Sequence, residues 1–484
     1  MWSECPSGGS VFRIYAEKRE RGERISHKLW KELSKRLECE YMRLISSEGR
    51  YLELDRSASL VKSTISIAFS HDGRYFASTH GDHSVKVFEW PSGKQIATLE
   101  KHRRTPWTVK FHPFKRHILA SGCIGNECCV WDLRDGSCIR SQKFPASISC
   151  LSFHPNGELI AVSSGSCVFL WRYGFLRKYS LGKSQQERNN SSNTFRSLFQ
   201  PLNTNFGICR DNEDLSVLEP SGESSYEILR TPLPTLPYHM VQFHPSGQFL
   251  LTGEKNRPCA ELQFSLRFVL HRFDLEQQTI SSSGPVLVIP RAIAYNDAGV
   301  DFSPCGKMIV ACVPEEENQM AFQIAIFSLV NRADGVLMGD MLYSISLDSA
   351  HLWALTNLKF SSSGSHLLAG FSFRSPSVTD MAKIRLWDSN SEFFNSETKK
   401  ADVIEIHHIH AKSNQTSLVQ TLQSDVIYDS INYTPSVEDE INVAVFSSAR
   451  TMAGTVADGL IYGTQKGRIR LFYLDKWTGS ECKS

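Results

Sequence analysis

One phrase recurs along this chain and decides what it can fold into: an apolar residue, any residue, Phe, then Ser or His and a turn closing on Gly. It reads Ile67-Ala-Phe69-Ser-His-Asp-Gly73, Val109-Lys-Phe111-His-Pro, Leu151-Ser-Phe153-His-Pro-Asn-Gly157 and Val241-Gln-Phe243-His-Pro-Ser-Gly247. It returns as Val300-Asp-Phe302-Ser-Pro-Cys-Gly306 and Leu358-Lys-Phe360-Ser-Ser-Ser-Gly364, with a degenerate copy at Val443-Ala-Val-Phe446-Ser-Ser. The Phe residues are spaced 42, 42, 90, 59, 58 and 86 apart. Each copy alternates apolar and polar positions, the pattern of a strand. Pro or Gly in a short turn then sends the chain back as a second strand.

After the turn come small residues, as in Leu119-Ala-Ser-Gly122, and then a strand ending in an aromatic-centred pair. These pairs are Phe88-Glu89, Trp131-Asp132, Trp171-Arg172, Trp387-Asp388 and Phe472-Tyr473. A period of 42 residues ending in Trp-Asp is that of a WD-repeat propeller blade. The expected fold is all-β: a seven-bladed WD-repeat β-propeller whose Trp and Phe pack between blades. Three segments fall outside the repeats, 1–50, 174–234 and 389–440, and the remainder allots roughly 46 residues to each blade.

The domains expected are therefore an N-terminal segment 1–50, a closing strand with blades one to three over 51–173, a mostly flexible insert 174–234, and blades four to seven over 235–484. Insert 181–226 is too polar to offset its ordering entropy by burial. Segment 389–440 reads as an excursion of blade six with one strand around Val403-Ile-Glu-Ile-His-His408. A propeller hides its edges by closing. Tyr51-Leu-Glu-Leu54 alternates and is expected to pair with Ile469–Tyr473 as the outer strand of the last blade. Before it, Ser26–Leu44 places Leu29, Leu33, Leu37 and Tyr41 four residues apart, the stripe of an amphipathic helix capped by Ser26.

Composition narrows the function. With 53 Lys and Arg against 51 Asp and Glu, the chain is not a strongly basic nucleic-acid binder. No apolar run approaches the ~20 residues of a membrane helix, so no membrane insertion is expected. The first ten residues lack the apolar region of a secretory signal. The 13 cysteines include no C-x-x-C, as suits reduced thiols in the cytoplasm or nucleus and neither a disulfide framework nor a zinc site. No phosphate loop, nucleophile elbow or H-E-x-x-H is present, and no catalytic set, cofactor or metal is expected. His112, His154 and His244 are expected to bond the local backbone of their turns, and His407, His408 and His410, in a loop-rich insert, to form a solvated face.

Three stretches carry a sharper resemblance. They are Ala77-Ser-Thr-His80; His102-Arg-Arg-Thr-Pro-Trp-Thr-Val-Lys-Phe-His-Pro113 with Leu119-Ala-Ser-Gly-Cys123; and Tyr295-Asn-Asp-Ala298 with Gly459-Leu-Ile-Tyr-Gly-Thr-Gln-Lys-Gly467. With Arg19-Glu-Arg-Gly22, they resemble the WD-repeat family called activating molecule in Beclin-regulated autophagy. That family splits its propeller after blade three with a very long insert. Here the insert is about sixty residues, so a short form is expected. The resemblance implies a substrate receptor of a cullin-4-type RING ubiquitin ligase, docked on the damaged-DNA-binding adaptor and presenting protein substrates. It implies adaptor contacts at the Trp131-Asp132-x-Arg134 box and at the stripe Leu29, Leu33, Leu37 and Tyr41. The box departs from the usual pattern at Gly125-Asn126, where an Asp is expected. Tyr226-Glu-Ile-Leu229 reads as a local strand packed on blade three or four, and also fits the pattern by which a ubiquitin-like autophagy modifier accepts an added strand at Tyr226 and Leu229. The competing class is a scaffold in autophagy or vesicle traffic with no ligase link. A hydrolytic propeller would need a carboxylate-lined centre.

Overall fold

The computed structural model describes residues 42, 50–52, 63–173, 226–229, 238–255, 265–293, 299–315, 322–347, 355–371, 403–410, 415–423, 441–447 and 459–473. Apart from Met42, whose backbone is helical, all regular structure among them is β. The strands form antiparallel four-stranded sheets following the repeat, innermost strand first. Blade one is Thr64–Phe69, Tyr75–His80, Val85–Glu89 and Gln95–Leu99; blade two is Pro106–Phe111, Ile118–Cys123, Glu127–Asp132 and Ser137–Lys143. Blade three takes Ile148–Phe153, Leu159–Ser164 and Cys167–Arg172. Blades four and five are continuous through a single pairing, Ile293 opposite Cys312. Among the described residues there are seven such four-stranded groups.

No blade has a core to itself. In Ile118–Cys123, Ile118 and Ala120 pack toward blade three while Leu119, between them, packs toward blade one. Strand alternation delivers the two faces to two neighbours. The same sharing recurs between each pair of adjacent blades. Blades seven and one join through Ile67, Phe76, Trp90, Val443, Ile461 and Leu471, so the ring closes. Asn442 reinforces that junction, its amide donating to Ser63 Oγ (2.9 Å) and the Thr64 carbonyl (3.0 Å).

The outer strands correct the sequence-based boundaries. Closure is made by Arg50–Leu52, with Tyr51 opposite Arg470 and Leu52 opposite Ile469; Leu54 lies outside the described residues. Blade three is completed from within segment 174–234 by Tyr226–Leu229, paired with Val168–Trp171, so that segment interrupts the blade and does not follow it. Blade six takes two strands from 389–440, Val403–His410 and Gln415–Gln423, where one was expected. Ile404 and Ile406 are fully buried there and fill the third-strand place assigned to the Trp387-Asp388 pair, which lies outside the described residues. His407, His408 and His410 thus stand on that strand, which runs to His410, and they do not all share a solvated face. His407 is buried with Nε2 2.9 Å from Glu405 Oε2, and the ring of His408 lies 4.9 Å from that of His366.

Adjacent blades are also latched at their first turns. His112, His154 and His244 accept backbone N–H groups of their own turns at Nδ1, as expected from sequence: Lys115 at 3.0 Å, Asn156 at 3.1 Å and Ser246 at 3.1 Å. A lone pair must sit at Nδ1, so the proton is on Nε2. That Nε2–H donates forward to the turn glycine of the next blade: His154 to the Gly247 carbonyl at 3.1 Å, His244 to that of Gly306 at 2.7 Å, and His112 to that of Gly157. Each glycine has positive φ, +76°, +74° and +69° at Gly157, Gly247 and Gly306, and a Cβ there would fall 2.4–2.6 Å from the ring.

Two predictions arise from the latch. Gly247→Ala forces Ala into the left-handed region, about 1–2 kcal/mol, and displaces the His154 ring as well. Gly136, at φ +71° with nothing within 4 Å of a Cβ, provides the control. Urea midpoints should fall further for Gly247→Ala than for Gly136→Ala, at unchanged slope. The second concerns acid. Burial, aided by the Lys115 charge, pushes the pKa of His112 down to about 4 from 6.5. Burial likewise pushes His271 down to about 4 and lowers His244. The folded state favours neutral rings, so their contribution is whole above about pH 6.5 and is lost as pH falls toward 4. Stability by urea unfolding should decline across that window, and less steeply in His112→Gln.

Candidate functional site

The Trp131-Asp132-x-Arg134 box closes the third strand of blade two. Trp131 is buried and its Nε1–H donates to Ser121 Oγ at 2.8 Å. Asp132 follows at the strand end, its side chain 9% exposed, and accepts the Arg134 backbone N–H and Nε, both at 3.0 Å. These hydrogen bonds hold the Asp132 pKa below the usual carboxylate range. The Arg134 side chain is 72% exposed. Its guanidinium is thus oriented from below by a carboxylate on a rigid strand and faces outward. A salt bridge this exposed contributes little to stability; its effect is to fix the direction in which a cationic fork is presented. Leu133 N–H bonds the His117 carbonyl at 2.7 Å, tying this turn to the first turn of the blade. That neighbouring turn carries the exposed Phe114 (53%) and Arg116, which reaches Asp72 of blade one at 3.3 Å. An outward apolar ring and two guanidinium groups therefore share one end of blade two.

At the opposite end lies the chain from His102. His102 is buried, with Nε2 2.7 Å from the same Ser121 Oγ that takes the Trp131 proton. The chain stops there, since His102 Nδ1 is buried with no hydrogen-bond partner. Blade one carries an acid at the corresponding place. Asp82 stands six residues before Phe88, ahead of the positive-φ residue His83; in blade two the corresponding place before Trp131 is Gly125, ahead of positive-φ Asn126. Burial and the Lys101 charge push the His102 pKa down to about 4. The four residues Lys101-His-Arg-Arg104 do not make one basic patch. Lys101 bonds Ser141 Oγ (2.8 Å) and Cys138 Sγ (3.2 Å), His102 is interior, and Arg103 and Arg104 are exposed.

The remaining expected site residues lie apart. Tyr226 and Leu229 sit opposite Trp171 and Val168 in the outer strand of blade three, its main chain bonded along one edge. Leu29, Leu33, Leu37 and Tyr41 lie outside the described residues. Met42, just after the stripe, is 2% exposed in the cluster shared by blades six and seven. A cavity of about 600 Å³ is bordered by residues of five blades at and beside their first turns, among them His71, Asp72, Pro113, Pro304, Ser361 and Phe446. Burial would raise the pKa of Asp72, but hydrogen bonds from Ser70, the Arg74 N–H and Arg116 hold it below the usual range. A paired carboxylate of that kind is a poor general acid or base. No helix among the described residues is long and apolar enough to cross a membrane.

Comparison with known proteins agrees with this architecture. The WD domain, G-beta repeat family matches residues 58–89, 93–132 and 136–172. Over 126 residues the chain is 36% identical to "Activating molecule in BECN1-regulated autophagy protein 1A" and 34% identical to protein 1B, both of Danio rerio. Each match covers 26% of this chain, and it covers 10% and 9% of those relatives. Eukaryotic translation initiation factor 3 subunit I of Coccidioides immitis is 24% identical over 226 residues, 43% of this chain and 66% of that one. Among solved structures, the β-propeller domain of Cps50 (Swd1) from Myceliophteria thermophila superposes with a TM-score of 0.52. That match is 14% identical and covers 88% of this chain and all of that one. The chain is a WD-repeat β-propeller.

The interrupted hydrogen-bond chain can be completed. Gly125→Asp puts a carboxylate at the position that Asp82 takes in blade one; the nearest atoms to its Cβ would be Arg104 Cβ and Cγ at 3.0 Å, on a flexible side chain, and Cys123 Sγ at 3.4 Å. Giving His102 Nδ1–H an acceptor should stabilise the protein by about 1 kcal/mol. The check is the urea midpoint at pH 7.5.

Proposed function

We propose that this propeller is a non-catalytic protein-interaction module acting as a substrate receptor of a cullin-4-type RING ubiquitin ligase, with a role in autophagy regulation. The observation that carries the reading is Arg134, held by buried Asp132 and exposed over most of its surface at one end of blade two. The likeness to the BECN1-regulated autophagy proteins falls over a short share of the chain and supports the link to autophagy. In this reading the damaged-DNA-binding adaptor meets the Trp131-Asp132-x-Arg134 end of blade two and receives the stripe Leu29, Leu33, Leu37 and Tyr41. Burying four apolar side chains yields roughly 6–12 kcal/mol before association and ordering costs. An amphipathic segment seated in a groove is the recognition mode that stripe suits. Substrate proteins would take the rest of the surface, in cytoplasm or nucleus. A ubiquitin-like modifier would pair through the edge of Tyr226–Leu229 facing away from Val168–Trp171.

Binding of the purified adaptor, by calorimetry or surface plasmon resonance, tests the reading. Leu33→Asp with Leu37→Asp should abolish binding while the circular dichroism of the propeller is retained. Arg134→Ala should weaken it less, about three- to tenfold, because a rim charge adds little beside a buried stripe. Absence of adaptor binding by the unaltered chain would leave a scaffold with no ligase link. Full binding by a folded chain starting at residue 48 would place the interface on the propeller alone.

A further inference from the structure

The interrupted end of blade two holds donor atoms of a second kind. Glu127 and Cys129 stand two apart on the third strand of the blade, so their side chains share a face. His102 reaches the same place from the loop entering the blade. One donor atom from each of His102, Glu127 and Cys129 lies within 4.8 Å of the other two, the single such grouping among the described residues. His102 is 5% exposed, Cys129 is fully buried and Glu127 is half-buried. The second observation is the orphaned imidazole nitrogen. His102 Nδ1 is buried without a partner, while Nε2 is occupied by Ser121. A buried polar atom left unpaired costs about 1–3 kcal/mol, and Gly125, at the place Asp82 takes in blade one, offers no side-chain acceptor for it.

From this placement we propose that His102, Glu127 and Cys129 form a binding site for a thiophilic divalent cation of the zinc class. Imidazole, carboxylate and thiolate together are the donor set that Zn²⁺ and Co²⁺ take, and that Mg²⁺ or Ca²⁺ do not. Nδ1 supplies the lone pair, and the Nε2–H then donates to Ser121 Oγ, the outer-shell hydrogen bond a metal-binding histidine ordinarily makes. Zinc sits ~2.0–2.3 Å from such donors, so the three must close in somewhat as the ion enters. Glu127, the least buried of them, has room to move. Lys101 is the competing cation nearby; its ammonium lies on Cys138, 3.2 Å from the sulfur, and its side chain is exposed and can turn out to solvent.

The site is independent of any ligase role, and its test reads the ion directly. Protein freed of affinity tags and dialysed against chelator is titrated with Co²⁺ under reducing conditions, then with Zn²⁺ in competition. The expected result is one equivalent of Co²⁺ with tetrahedral d–d bands and a thiolate-to-cobalt charge-transfer band, displaced by Zn²⁺. Cys129→Ser should abolish the charge-transfer band, and Glu127→Gln should weaken binding about tenfold or more. Cys305→Ser, at an exposed turn cysteine of blade five, should change nothing. Zn²⁺ should also raise the melting temperature of the unaltered protein and of Cys305→Ser but not of Cys129→Ser. Circular dichroism of each metal-free variant shows that it is folded. No binding at micromolar Co²⁺, binding without a thiolate band, or an unchanged band in folded Cys129→Ser would each overturn the proposal.

Discussion

Every core cluster among the described residues is shared between neighbouring blades. A strand such as Ile118–Cys123, buried along its whole length, sends Leu119 to one neighbour and Ile118 and Ala120 to the other. A single blade cut out of the ring would expose both of its faces. Stability is therefore a property of the closed ring, the sum of interfaces in which each unit finishes its neighbour. The histidine latches repeat that logic in polar form. Each ring reads its own turn with Nδ1 and the next blade's turn with Nε2, so turn geometry and blade spacing are fixed by one side chain.

The same rigidity explains what blade two can present. Trp131 and His102 converge on one hydroxyl, Ser121 Oγ, which ties the loop entering the blade to its second and third strands. At one end this leaves Asp132 placed to aim Arg134 outward. At the other it leaves an imidazole facing a thiol and a carboxylate. Both features are consequences of strand ends that cannot shift independently, as a recognition surface or a metal site requires.

The inner strands were legible in the sequence because burial on both faces demands Phe, Val, Ile and small residues at fixed spacing from a turn glycine. Outer strands were not. Gln95–Leu99 exposes most of its length, and Ser137–Lys143 buries no residue fully, so neither selects an apolar pattern. Tyr226–Leu229 was readable as a local strand but not as the closing strand of blade three, Gln415–Gln423 lay inside a segment whose polarity argued for a loop, and the Trp387-Asp388 dipeptide drew the third strand of blade six away from Val403–His410. Trp131, Asp132 and Arg134 were readable because they are contiguous. The grouping of His102, Glu127 and Cys129 was not, since register, which no C-x-x-C spacing encodes, brings the loop to the strand. The forward half of the histidine latch was hidden for the same reason: its partners are 45 to 93 residues away.

The pairing of Arg50–Leu52 with Ile469–Leu471 has a further consequence for synthesis. The ribosome makes one half of that contact hundreds of residues before the other. At ordinary elongation rates of about 5–20 residues per second, the early strand waits on the order of 20–80 s for its mate. Over that interval the nascent chain is a growing arc with two unmatched rims, the very surface on which strands of separate molecules join. The time those rims stay open is set by the length of chain between the two strands, whatever the strength of the finished ring.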